Sequence, residues 1–141
     1  MEGQRFYAIT MARIVSIVAF VWFVFFMPGP WGWQRDLGTL LVIAGAIGIS
    51  IAHYQLGSSF SVRAEAHHLV THGIYSKIRN PIYVFGMLLI AGFVMASHRP
   101  RLWLILPIVI IVQIVRARRE AHVLESAFGD AYRQYRRKTW F

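Results

Sequence analysis

Apolar and polar positions alternate along this chain in long blocks rather than residue by residue. One apolar run extends from about Ala8 to Met27, and a second from Leu37 to about Leu56. A third follows Pro81 and reaches about Ala96, and a fourth spans Leu102 to about Val115. A helix needs roughly 17–25 residues to cross the hydrocarbon core. The last two runs are shorter, and Tyr83, Arg101 and Trp103 at their ends supply the interfacial anchoring that short spans use. The pattern predicts an all-α, polytopic membrane helical bundle with about four transmembrane helices and a cytoplasmic C-terminal helix or tail. All 141 residues form one domain, with a helical hairpin over 1–56 and a second half over 57–141. Arg5 and Arg13 before the first run imitate a signal peptide. Pro28-Gly29-Pro30-Trp31 after it offers no small-x-small cleavage site, so the run reads as a retained helix.

Composition agrees. Hydrophobic residues make up 57% of the chain and charged residues 15%, more apolar surface than a short soluble domain can bury. The net charge of +9 is distributed unevenly. With the N-terminus in the cytoplasm, the inner side holds Arg5, Arg13, Arg63, Lys77, Arg79 and seven basic residues from Arg116 to Lys138. The outer side holds Arg35, Arg99 and Arg101. Twelve against three is a positive-inside bias, with both termini cytoplasmic. The basic tail, with Tyr132, Tyr135 and Trp140 between its arginines, suits membrane lipids as a partner and not nucleic acid. There is no cysteine, which excludes disulfides, thiolate catalysis and cysteine-bound metals.

Within the second run Ala44, Gly48 and Ala52 are four apart, a spacing that lets helices approach closely. It serves packing inside the bundle, or a homodimer through small-residue helix faces. Pro107 predicts a kink in the fourth helix. Two polar stretches remain, 57–80 and 116–141, and the chemistry is expected between them. Asn80-Pro81 reads as an N-cap and first helical position, with its open amides and Arg79 suited to an anion. Gly86 leaves room beside the helix. An interfacial anchor is the alternative reading of the same residues. The tail face Ala117, Ala121, Leu124 and Phe128 predicts that the fourth helix runs on as an amphipathic helix to Gly129. Arg116 and Glu120 are placed to pair at i,i+4. A carboxylate so near the bilayer needs such a partner or a function. His67, His68 and His72, with Glu65 nearby, have no paired ligands elsewhere, and no metal site is expected.

Together the two stretches resemble the isoprenylcysteine carboxyl methyltransferase family and the related small membrane phospholipid methyltransferases. The first block is Gly73-Ile74-Tyr75, then Arg79-Asn80-Pro81-Ile82-Tyr83, then Gly86. The second is Glu120, Leu124, Phe128-Gly129, Tyr132 and Tyr135. Two positions depart from the pattern: Asn80 stands where the family usually has histidine, and Ala121 where it has a second glutamate.

The resemblance implies S-adenosylmethionine as methyl donor and a lipophilic acceptor arriving from the bilayer. A prenylcysteine-like carboxylate is the first candidate acceptor and a phospholipid amine the alternative. It assigns Tyr75, Arg79, Asn80, Pro81, Tyr83, Gly86 and Glu120 to the donor. Arg116, Tyr132 and Tyr135 fall to the acceptor, and Glu120 and Arg116 to catalysis. A sterol-type NADPH-dependent reductase shares part of the Arg-x-Pro-x-Tyr pattern but has a second asparagine where Ile82 stands. A non-catalytic protein keeping the fold is the other rival.

Overall fold

The computed structural model describes residues 2–56 and 69–141, so Arg63, Glu65, His67 and His68 lie outside the described residues. Among those described, the α-helices are α1 (Glu2–Phe25), α2 (Trp33–Leu56), α3 (Pro81–Ala96), α4 (Ile105–Phe128) and α5 (Asp130–Lys138). Two 3-10 turns, Gly73–Ser76 and Pro100–Leu104, precede α3 and α4. The all-helical expectation holds. In place of a strand there is an isolated parallel bridge between Ile78 and Trp140.

Helix α2 and the continuous helical segment Pro100–Phe128, which joins the second 3-10 turn to α4, are long and apolar enough to cross a membrane. Within α1 the stretch Ile14–Phe25 is apolar, and α3 is a shorter apolar helix, about 24 Å long at 1.5 Å per residue. The side chains of Ile14, Val18, Trp22, Leu40, Ile47, Ile108 and Ile111 are exposed on the helix surfaces, where lipid is the solvent that accepts them.

Helices α2 and α3 pack antiparallel with their backbones almost in contact. A Cβ built on Gly38 would lie 2.6 Å from the Ala96 nitrogen, and one on Gly45 2.7 Å from the Leu89 nitrogen. One on Gly92 would lie 2.6 Å from the Gly38 oxygen, and Gly48 faces the Phe85 ring. The small residues of α2 therefore meet α3 inside the chain. Of the expected stripe Gly48 and Ala52 are buried, but Ala44 is exposed and outside the seam. Gly38, Gly45 and Gly48 line it instead, so this face of α2 is occupied within the chain. Val24, Val42 and Ala96 form the core at the far end of this pair, with Phe20, Val21 and Phe93 against them.

Helix α1 ends where Pro28-Gly29-Pro30 cannot continue it. Arg35, only 2% exposed, caps that end by donating to the carbonyls of Gly29 (3.1 Å), Phe25 (2.6 Å) and Met27. Phe25 is among the last-turn acceptors that a helix leaves unsatisfied, and Met27 and Gly29 belong to the connection that follows. Pro107 lies in the first turn of α4 and not mid-helix. It marks the junction with the preceding 3-10 turn, because its missing N–H falls where no intrahelical bond is required. The predicted run-on of the fourth helix is observed: α4 continues to Phe128 and is closed by Gly129, at φ +51°. Amphipathic α5 follows at once, Asp130 in its first turn and Arg136, Arg137 and Lys138 in its last. These charges complement the helix dipole at both ends.

Candidate functional site

The site lies where the start of α3, the later half of α4 and the face of α5 meet. Pro81 begins α3 and places Tyr83 and Gly86 on one face, three residues apart. On α4, Gln113, Arg116 and Glu120 fall on one face by the same spacing. The Tyr83 hydroxyl donates to Glu120 Oε2 at 2.9 Å. The Arg116 guanidinium lies over the Tyr83 ring at 5.9 Å. Glu120 is thus held by Tyr83, not by the expected direct pair with Arg116. Among the described residues the ion pairs join Arg133 to Glu125 and to Asp130. Gly86 faces the Gln113 side-chain amide, whose nitrogen would lie 3.7 Å from an added Cβ.

A 3-10 turn supplies Tyr75, which is 7% exposed. The turn is fixed from two sides. From α2, Gln55 Oε1 accepts the Ile74 N–H at 2.7 Å. Gly73 stands at φ +60°, where a side chain is strained, and a Cβ there would displace the Gln55 side chain, 2.3 Å away. From α5, the Tyr135 hydroxyl donates to the Tyr75 carbonyl at 2.7 Å. Sequence spacing marked neither Gln55 nor this clasp.

The C-terminal residues form a strap across the start of α3. Trp140 N–H donates to the Lys77 carbonyl at 3.0 Å, Arg79 N–H to the Trp140 carbonyl at 3.1 Å, and Asn80 N–H to the Phe141 carbonyl at 2.9 Å. This changes two expectations. Asn80 occupies the N-cap position, but its side chain makes no capping bond. Its amide, expected to be open to an anion, is taken by the strap, and the Tyr83 amide bonds the Asn80 carbonyl. The Arg79 side chain remains as the positive charge beside the start of α3, its Nε buried without a partner.

Tyr132 and Tyr135 are buried, not spread on a membrane surface, while the arginines of α5 face outward. Two buried polar atoms here have no partner: Arg79 Nε and the Tyr132 hydroxyl. Burial pushes the Tyr75 phenol up, and Glu120 and Tyr135 add to the effect. Burial also pushes Tyr135 up to about 12, partly opposed by Arg79 and reinforced by Tyr132 and Glu120. Tyr132 is raised by burial against the pull of Arg79 and Arg136. Arg79 and Glu120 thus act on Tyr132 and Tyr135 with opposite sign. The predicted residues Tyr75, Arg79, Tyr83, Arg116, Glu120, Tyr132 and Tyr135 are brought together. Pro81 and Asn80 shape the entry to α3, and His72 is exposed on the rim.

Such a cluster at the ends of two apolar helices can bind a small charged molecule beside the bilayer. Residues 33–131, from α2 into α5, match the family described as phospholipid methyltransferase. The chain is 30% identical to protein-S-isoprenylcysteine O-methyltransferase B of Arabidopsis thaliana, over 89% of this chain and 68% of that protein. It is 29% identical to protein-S-isoprenylcysteine O-methyltransferase A of the same plant, with the same coverage. The matched region takes in the helical pair, the 3-10 turn and the Tyr83–Glu120 contact, and on that span the chain belongs to the phospholipid methyltransferase family, as a membrane methyltransferase.

Proposed function

We propose that the protein transfers a methyl group from S-adenosylmethionine to the carboxylate of a prenylcysteine-like lipid. The observation that carries this reading is the pair of partnerless buried atoms, Arg79 Nε and the Tyr132 hydroxyl, beside the Tyr83–Glu120 bond. Buried polar groups are almost always satisfied, and these two fit a ligand with a carboxylate and hydroxyls. Arg79 would hold the amino-acid carboxylate of the donor. Glu120, oriented by Tyr83, would hold a ribose hydroxyl or the amino group. Tyr75 and Tyr83 would wall the pocket. The bound donor supplies an electrophilic methyl group on a sulfonium.

A carboxylate acceptor is ionised at neutral pH and needs no general base. Arg116 recognises it through charge-assisted hydrogen bonds. The chain's work is then orientation and exclusion of water, and orientation alone is worth ~7–11 kcal/mol in favourable cases. The names of the plant relatives support this acceptor. The family description favours a second reading, a phospholipid amine. An amine must first lose a proton, and Glu120 is then the base. The twelve-to-three distribution of basic residues supports four crossings with both ends cytoplasmic, which puts the site at the cytoplasmic surface.

Calorimetric titration of the detergent-solubilised protein with S-adenosylmethionine, S-adenosylhomocysteine and NADPH tests the donor. Binding of the first two, greatly weakened in Arg79→Ala and Glu120→Ala, is expected. A preference for NADPH would indicate a reductase, and no binding would indicate a non-catalytic protein. Labelled donor with a prenylcysteine or with phosphatidylethanolamine then separates the acceptors. A rate that is flat near neutral pH marks the carboxylate, and one that rises with pH marks the amine.

A further inference from the structure

From Ile105 to Val115, Gln113 is the single polar side chain in an apolar stretch of α4. Ile108, Ile110, Ile111, Val112 and Val115 around it are exposed, whereas Gln113 is half-buried. Its amide nitrogen is the nearest atom to a Cβ built on Gly86, at 3.7 Å, so the amide lies against α3. No described residue hydrogen-bonds it. Gln113 precedes Arg116 by one turn and Glu120 by two, and Gly86 follows Tyr83 by one. The site therefore continues into the membrane segment as a polar column: Glu120 with Tyr83, then Arg116, then Gln113 across from Gly86.

An unpaired amide at membrane depth is costly, and polar residues in such segments mark substrate paths. We propose that Gln113 is a specificity-determining residue that hydrogen-bonds the amide of a peptide-like acceptor whose carboxylate meets Arg116. The inference rests on the acceptor proposed above. Gln113 lies about 4.5 Å deeper than Arg116 along the helix, within reach of the amide that shares the α-carbon with the carboxylate of such an acceptor. A glutamine amide donates and accepts, which matches a peptide amide. A phospholipid brings phosphate and ester oxygens to that depth, and these only accept. The absent Cβ of Gly86 leaves the space between the helices that the acceptor needs.

The test measures kcat/KM with two acceptors, an N-acyl S-prenylcysteine and the matching S-prenyl thioether acid without the amide. Wild-type protein is expected to prefer the amide acceptor by about 3- to 30-fold, the range of one hydrogen bond at membrane depth. In Gln113→Met, close in volume but unable to donate, the ratio should fall toward one through KM, with kcat for the amide acceptor little changed. An unchanged ratio, or an equal fall for both acceptors, overturns the role of Gln113 and leaves the acceptor class standing. Failure of the wild-type protein to methylate either compound overturns the acceptor class, and this inference with it. Gln113→Glu keeps the shape and serves if the Met variant does not fold. It should lower the preference, because a carboxylate still accepts from the amide N–H but cannot donate to the amide carbonyl, and an undiminished preference overturns the proposal.

Discussion

Replacing Gly45 by alanine places a methyl group between two helix backbones. The new carbon would lie 2.7 Å from the Leu89 nitrogen and 2.8 Å from the Phe85 oxygen, where ordinary contact begins near 3.4 Å. Neither neighbour is a side chain that can rotate away, so α2 and α3 must part by several tenths of an ångström. Overpacking of this kind costs about 1–3 kcal/mol, and backbone contact on two sides puts Gly45→Ala near the upper end. Better helix propensity returns up to about 1 kcal/mol, leaving a net loss of about 2 kcal/mol. Gly86→Ala is the matched control, because the nearest atom to its new methyl is a flexible side-chain amide at 3.7 Å. That variant should be as stable as the wild type or slightly more so. Thermal unfolding in one detergent, followed by helical circular dichroism, compares the three proteins. The functional readout follows from geometry. Helix α2 carries Gln55, which holds the Tyr75 turn, and α3 carries Tyr83, which holds Glu120. Donor affinity in Gly45→Ala should therefore fall along with stability. Equal stability of Gly45→Ala and wild type, or equal damage from Gly86→Ala, would refute the close α2–α3 seam.

Three further outcomes are expected. Tyr135→Phe removes the buried donor to the Tyr75 carbonyl and should destabilise by about 1–3 kcal/mol, the range for an acceptor left unsatisfied, with weaker donor binding in the same calorimetric titration. The phenols of Tyr75 and Tyr135 are raised above the ordinary value of 10, so the folded state holds protons that the unfolded state has released. Their stabilisation is complete below about pH 10 and is lost as pH rises toward about 12, and tyrosinate absorbance should lag behind that of the unfolded chain across this window. Arg35→Met should cost about 3 kcal/mol or more in thermal unfolding, since it strips several carbonyls at the end of α1 of charged donors, whereas Arg133→Ala, which breaks exposed ion pairs, should leave the unfolding curve unchanged.

The apolar blocks alone settled that the chain is helical and belongs in a membrane, because surface of that kind and length has few other solvents. Glycine and proline chemistry fixed where α3 begins and α4 ends, since Pro81 and Gly129 act through their own backbones. The residues of the two polar blocks were also legible, as residue types suited to a charged ligand at fixed spacing. Their partners were not. Whether Glu120 is held by Arg116 four residues away or by Tyr83 on another helix depends on how α3 and α4 approach each other. The glycine seam facing α3, the Gln55 brace and the Tyr135 clasp are likewise long-range contacts. The strap is a further case: it takes the Asn80 amide that local reasoning left open, because a hydrogen-bonding group in sequence says nothing of which distant segment will reach it first. Local propensity determines the elements, and only the packed structure decides which of their polar atoms remain for a ligand.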